Sequence, residues 1–231
     1  MNDFFATPEG AWGDGSVRLT VTGVFLVAAI ILLLIVTAAL LRHRNGAKKA
    51  AFTTKQLVYS AAAIALAAAC SMIKLFEVPM GGSVTLFSMF FICYVGYLYG
   101  VKVGIITAFA YSILQFIQSG STYFLTPFQV CCDYFFAFTA LGLAGIFYKK
   151  KHGLTIGYLT ACLFRGLFHT IGGYIYWMDY MPEWFPKALT SVYPIIYNYS
   201  YILAEMIITL IIINLPPVKK ALERVKEMAL S

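Results

Sequence analysis

The sequence predicts an all-α integral membrane protein, with a six-helix core and one extra transmembrane helix ahead of it. Three observations predict this class. The 231 residues are 61% hydrophobic and only 12% charged, against about 25% charged in a soluble domain, and the mean hydropathy is +0.79. Apolar stretches long enough to cross a lipid bilayer, about 20 residues, recur near 20–41, 56–74, 84–100, 103–118, 128–148, 154–178 and 190–215. Thirteen of the seventeen basic residues fall in alternate joints: Arg42, Arg44, Lys48, Lys49, Lys55, then Lys102, then Lys149, Lys150 and Lys151, then Lys219, Lys220, Arg224 and Lys226. By the positive-inside rule the N-terminus is outside and the C-terminus cytoplasmic in a cell membrane. The formal charge of +7 thus belongs to cytoplasmic loops, and it does not point to nucleic acid.

The first stretch follows an acidic segment and precedes basic residues, the reverse of a secretory signal. It reads as a retained anchor. Arg42 to Thr54 is polar and reads as a linker, so residues 1–50 form an appended segment and residues 51–231 the six-span core. The first core helix is rich in alanine. Ala61, Ala65 and Ala69, and also Ala63 and Ala67, repeat at small-xxx-small spacing, which lets helices approach closely in lipid. Either tight internal packing or a docking face for another membrane protein follows from that pattern. The next joint, F-E-V-P-M-G-G-S-V-T-L, contains Pro79, Gly81 and Gly82, which break helices. It predicts an irregular loop over the outer mouth, able to act as a lid. The joint before the span at 128–148 supplies Tyr123 in the same way.

Ionisable groups at membrane depth cost at least about 2.5 kcal/mol each, so each must face a partner or a cavity. Asp133 follows Gln129 and precedes Tyr134 on one helix side near the outside. It is either a ligand acceptor or one half of an ion pair with Arg165. Arg165, His169, Trp177 and Asp179 follow in the next span. His169 and Trp177 lie eight residues apart, a little over two turns, and so share a face. An aromatic and an imidazole on one membrane helix face suggest a site for a small, flat, positively charged ligand. Arg165, one turn deeper, is expected to pair with Glu205 or to cap the site floor. In the last span Tyr193, Tyr197 and Tyr201 repeat every four residues, with Asn198 close to that face. This is either a binding wall or an aromatic belt.

The five cysteines lie in apolar runs without metal-like spacing and read as small core residues. No P-loop and no H-E-x-x-H motif occurs. Ser119 and Ser121 with His169 do not make a protease, because both serines sit in an outer loop.

The stretches F-E-V-P-M-G-G-S-V-T-L-F-S-M, L-T-P-F-Q-V-C-C-D-Y-F-F-A-F with L-G-L-A-G after it, F-H-T-I-G-G-Y-I-Y-W, and Y-P-I-I-Y-N occur in that order through most of residues 56–204. Together they resemble the thiamine-specific S-component of energy-coupling factor transporters, the ThiT family. The resemblance implies a six-helix S-component core that binds thiamine from outside, near the outer surface, without changing it chemically and without a cofactor. It implies docking through the first core helix on a shared transmembrane scaffold protein, driven by two cytoplasmic ATPases. The family's docking motif falls on Ala61, Ala65 and Ala69, or on the overlapping Ala63 and Ala67. Its binding residues fall on Asp133 and Tyr134, His169, Trp177, Tyr193, Asn198 and the loop residue Tyr123, and its basic residue before the histidine on Arg165. Some members carry glutamate at the position of Asp133, one methylene longer. Some carry tryptophan in the first outer core loop, where Phe76 is the nearest aromatic here. Two other readings stay open: an S-component for another vitamin or a thiamine precursor, and a solitary ion-coupled carrier relaying protons through Asp133, Glu205 and His169.

Overall fold

The computed structural model describes residues 52–119 and 124–231, together with residues 6–8, 17–22, 25 and 29 of the N-terminal segment. Nearly all of the expected first span, 20–41, and also Tyr123, lie outside the described residues. In the N-terminal segment, strands β1 (Ala6–Pro8) and β2 (Val17–Leu19) pair antiparallel.

The core opens with helix α1, Thr54–Ser71. Thr53 stops the chain from starting the helix earlier. Its hydroxyl accepts from Gln56 N at 3.2 Å, while Gln56 Oε1 accepts from Thr53 N at 3.0 Å, a reciprocal cap that satisfies two end donors. Six further elements follow: α2 (Ser88–Tyr99) and α3 (Val101–Gln118), the composite helices α4 (Pro127–Phe147), α5 (Gly153–Tyr180) and α6 (Lys187–Ile213), and a terminal helix α7 (Pro216–Leu230). Among the described residues, α3, α4, α5 and α6 are long and apolar enough to cross a membrane, and α2 is apolar but shorter.

The joint between α1 and α2 is not the irregular loop that its proline and glycines predict. It is a hairpin of β3 (Lys74–Glu77) and β4 (Ser83–Thr85), in the register Phe76↔Val84 and Glu77↔Ser83. Gly81 permits the reversal with φ 91°, a region that residues with a Cβ rarely visit. Val78 N closes the turn on Gly82 O at 2.8 Å. The strand takes residues that the hydropathy of 84–100 assigns to a helix, which leaves α2 only 12 residues, about 18 Å.

Small residues set the helix spacing. A Cβ on Gly142 would lie 2.5 Å from the Gly104 backbone, and one on Gly96 would lie 2.9 Å from Gly145 N. These contacts bring the backbones of α2, α3 and α4 together, the lipid-phase packing that dispersion favours. Met89, Cys93, Leu98, Tyr111, Tyr158, Cys162 and Ile202 fill the core around them. All five cysteines are free, with Cys93, Cys132 and Cys162 buried. Ala63 and Ala67 belong to the interior, at 8% and 0% exposure. Ala61, Ala65 and Ala69 lie on the exposed side of the same helix. One stripe of α1 is therefore packing, and the other is uncovered.

The basic tail is the amphipathic helix α7. Val218, Leu222, Val225 and Ala229 turn inward while Lys219, Lys220 and Arg224 stay exposed. Tyr94 OH donates to Leu222 O at 2.5 Å, Lys226 Nζ to Tyr97 OH at 2.8 Å, and Lys55 Nζ to Ser231 Oγ at 3.3 Å. These bonds gather the start of α1, the end of α2 and α7 at one end of the bundle.

Candidate functional site

At the opposite end of the bundle the helices enclose a cavity of about 490 Å³, within the size range of small-molecule sites. Its walls come from the end of α1, the β3–β4 hairpin, the end of α3 and the facing halves of α4, α5 and α6.

The local folding that aims side chains inward begins at Thr126, which caps α4 by accepting from Gln129 N at 3.1 Å, with Pro127 in the first turn, where its missing N–H costs nothing. At Cys131–Phe136 the helix widens into a π-turn, a feature that recurs at functional sites. Asp133 and Tyr134 stand on that turn, and both line the cavity. A second π-turn spans Gly173–Trp177. Eight residues at about 100° each would leave Trp177 roughly 80° past His169. The wider i→i+5 turn takes up that excess, so the two side chains meet the same partner.

That partner is Asp133. Trp177 Nε1 donates to Asp133 Oδ2 at 3.0 Å, Gln129 Nε2 donates to the same oxygen at 2.5 Å, and His169 Nδ1 lies 3.4 Å from Asp133 Oδ1. Arg165 Nε donates to His169 Nε2 at 3.4 Å. An imidazole that accepts at Nε2 carries its proton on Nδ1, so the guanidinium selects the tautomer that points at the carboxylate. A carboxylate has about four acceptor positions. Three are engaged, and one remains for a ligand N–H. Gly172 makes the approach possible, because a Cβ there would lie 2.8 Å from Asp133 Oδ1.

Asn198 is held from three directions. Its Nδ2 donates to His169 O at 3.2 Å and to Pro194 O at 2.9 Å, and its Oδ1 accepts from Tyr201 OH at 2.9 Å. Tyr193 lines the cavity with its ring edge-on to Phe185 at 4.9 Å. Tyr197 is the link to the hairpin: its hydroxyl donates to Pro79 O and accepts from Gly82 N at 3.2 Å.

The expected pairing of Arg165 with Glu205 does not occur. Among the described residues Arg165 makes no ion pair with a carboxylate. Its guanidinium sits 4.4 Å from the centre of the Phe138 ring, a cation–π contact. Glu205 accepts from Thr85 N (2.9 Å), Thr85 Oγ1 (2.7 Å), Ser88 Oγ (3.2 Å) and Met89 N (3.3 Å). It caps the start of α2, where unpaired N–H groups and the helix dipole favour an anion. Those four donors outbid a lone guanidinium. Asp133 likewise pairs with His169 and not with Arg165.

The structure thus brings together Asp133, Tyr134, His169, Trp177, Tyr193 and Asn198 around one cavity. Phe76 stays apart, 61% exposed on β3. Tyr201 belongs to the stripe read as a binding wall or an aromatic belt, whereas Gly172 and Gly173 carry no site role in the sequence reading. The paired glycines inside an apolar helix were the available signal, since such residues often mark close approach.

Comparison with known proteins places these residues in a family context. A family model described as "Thiamine transporter protein" matches residues 57–224. The chain is 29% identical over 171 residues to the thiamine transporter ThiT of Bacillus subtilis (strain 168), covering 68% of this chain and 85% of that one. A solved structure of ThiT from Listeria monocytogenes shares the fold with a TM-score of 0.60 at 19% identity, over 76% of this chain and 97% of that one.

Proposed function

This chain belongs to the thiamine transporter protein family, and from that premise we propose that it is the substrate-binding S-component of an energy-coupling factor importer, with thiamine as its ligand. Family members are transporters and not enzymes. The observation that carries the substrate reading is the Asp133 carboxylate, pinned between Trp177 Nε1–H and His169 on a cavity wall.

Thiamine joins a cationic thiazolium to a flat aminopyrimidine. The remaining acceptor position on Asp133 suits the exocyclic amine, in a charge-assisted bond. Trp177, its N–H anchored, offers an oriented ring for the cation, a contact of about 2 kcal/mol when desolvated. Tyr193 reads a ring nitrogen, Asn198, its two N–H groups spent on His169 O and Pro194 O, offers only its remaining acceptor position, and Tyr134 closes the side, with Tyr123 as a further contact. Phe76 serves as a lid contact only if the hairpin turns inward. A site of this polarity rejects analogues that leave its groups unpaired.

The membrane arrangement follows the charge pattern: a seven-span chain with residues 1–50 as an appended segment, the N-terminus and cavity outside, and α7 cytoplasmic. The exposed Ala61, Ala65 and Ala69 face of α1 is the surface for the transmembrane scaffold, and two ATPases act beneath it. The substrate assignment is tested by equilibrium binding of labelled thiamine to the purified chain in nanodiscs, challenged with hydroxymethylpyrimidine and riboflavin. Thiamine should be the tightest ligand. A precursor that displaces it at lower concentration overturns the assignment.

A further inference from the structure

The cavity has a second wall that the acid–indole–imidazole cluster does not use. Ser71 at the end of α1 and Gln115 and Gln118 at the end of α3 line the same space. They carry neither charge nor aromatic ring, and they are bonded to each other. Ser71 Oγ donates to Ala68 O at 2.7 Å and lies 3.2 Å from Gln118 Oε1. Gln115 Nε2 donates to Ser71 Oγ at 3.0 Å and to Gln118 Oε1 at 2.8 Å. Gln118 Nε2 donates to Ala68 O at 3.2 Å.

The donor count in this cluster has a consequence. The single Ser71 proton is committed to acceptors on α1 and α3, so its oxygen receives from Gln115. That requirement fixes which way the Gln115 amide faces. Both of its N–H donors are then spent within the cluster, and its carbonyl oxygen, Gln115 Oε1, has no hydrogen-bond partner among the described residues. An unfilled acceptor on a cavity wall matches a ligand group that donates.

We propose that Ser71, Gln115 and Gln118 form a subsite for the hydroxyl end of the ligand, in which Gln115 Oε1 accepts the alcohol proton and so selects a free hydroxyalkyl tail. The proposal rests on the thiamine reading, because it places the aminopyrimidine and thiazolium on the Asp133 side and the hydroxyethyl chain on the α1–α3 side. Gln115 is then a specificity-determining residue, separate from the groups that hold the cation.

The test compares thiamine with its deoxy analogue, in which ethyl replaces hydroxyethyl, by calorimetric titration of the full chain in nanodiscs. Wild type should prefer thiamine at least tenfold. Gln115→Met, similar in length but without the acceptor, should bring the ratio of the two affinities to about one, and its binding of the analogue reports that it is folded. Asp133→Asn should weaken both ligands together and keep the ratio. Equal wild-type affinities overturn the subsite without any variant, as does a tenfold preference that survives in Gln115→Met. If wild type binds neither ligand, the thiamine reading itself falls, and the subsite with it.

Discussion

Asp133 is tied to Trp177, Gln129 and His169 at once, so in the proposed complex its loss removes a ligand acceptor and also releases the indole proposed to stack on the ligand. Asp133→Ala and Trp177→Ala are each expected to weaken thiamine binding at least tenfold, about 1.4 kcal/mol, measured by titration. Trp177→Phe keeps a ring but loses the anchoring N–H, and should fall between wild type and Trp177→Ala. Gly172→Ala tests the close approach: its Cβ would sit 2.8 Å from Asp133 Oδ1, so it should weaken binding while leaving the thermal midpoint of the protein nearly unchanged. The identities of Asp133, His169, Trp177 and Asn198 were legible because polar groups at membrane depth need a reason. Their partners were not. Charge alone suggested Arg165 for Glu205, whereas the backbone donors that claim Glu205 arise only when β4 and the start of α2 fold against α6.

At the scale of elements, the π-turn Gly173–Trp177 sets the phase of the indole. Inserting one alanine after Ile175, which is 55% exposed, should add about 100°, rotate Trp177 off the face of His169 and abolish binding. Circular dichroism should show the helix content retained. Hydropathy placed the described core helices well, because lipid exposure demands long apolar runs. It missed the hairpin, whose valine and threonine alternate in a stretch too short to separate strand from helix by periodicity. It assigns no element to the residues after 215, although Val218, Leu222, Val225 and Ala229 repeat at helical spacing. Both stripes of small residues on α1 looked alike in the sequence. Only packing distinguishes Ala67, at 0% exposure, from the uncovered Ala65. Ala65→Trp should therefore leave thiamine binding intact and abolish uptake in cells. Ala67→Trp should instead overpack the core and lower stability by about 1–3 kcal/mol, read as a drop in thermal midpoint. Loss of binding in Ala65→Trp would show that the uncovered stripe is not a docking surface.

The whole molecule separates two tasks along its length. One end holds the cavity and the hairpin that Tyr197 fastens through Pro79 and Gly82. The other holds α7 with Lys219, Lys220, Arg224 and Lys226, the end proposed to be cytoplasmic. Such a division suits a subunit that captures its ligand alone and needs partners only to deliver it. The chain reconstituted by itself should bind thiamine without accumulating it inside vesicles, and proton-driven uptake by the chain alone would favour the solitary carrier. The most direct measurement is a calorimetric titration of the isolated, folded chain with thiamine, run in parallel on Asp133→Ala. The account predicts saturable binding at one site in wild type, weakened at least tenfold in the variant. An absence of heat across the whole wild-type titration, or equal affinities in the two proteins, would contradict it.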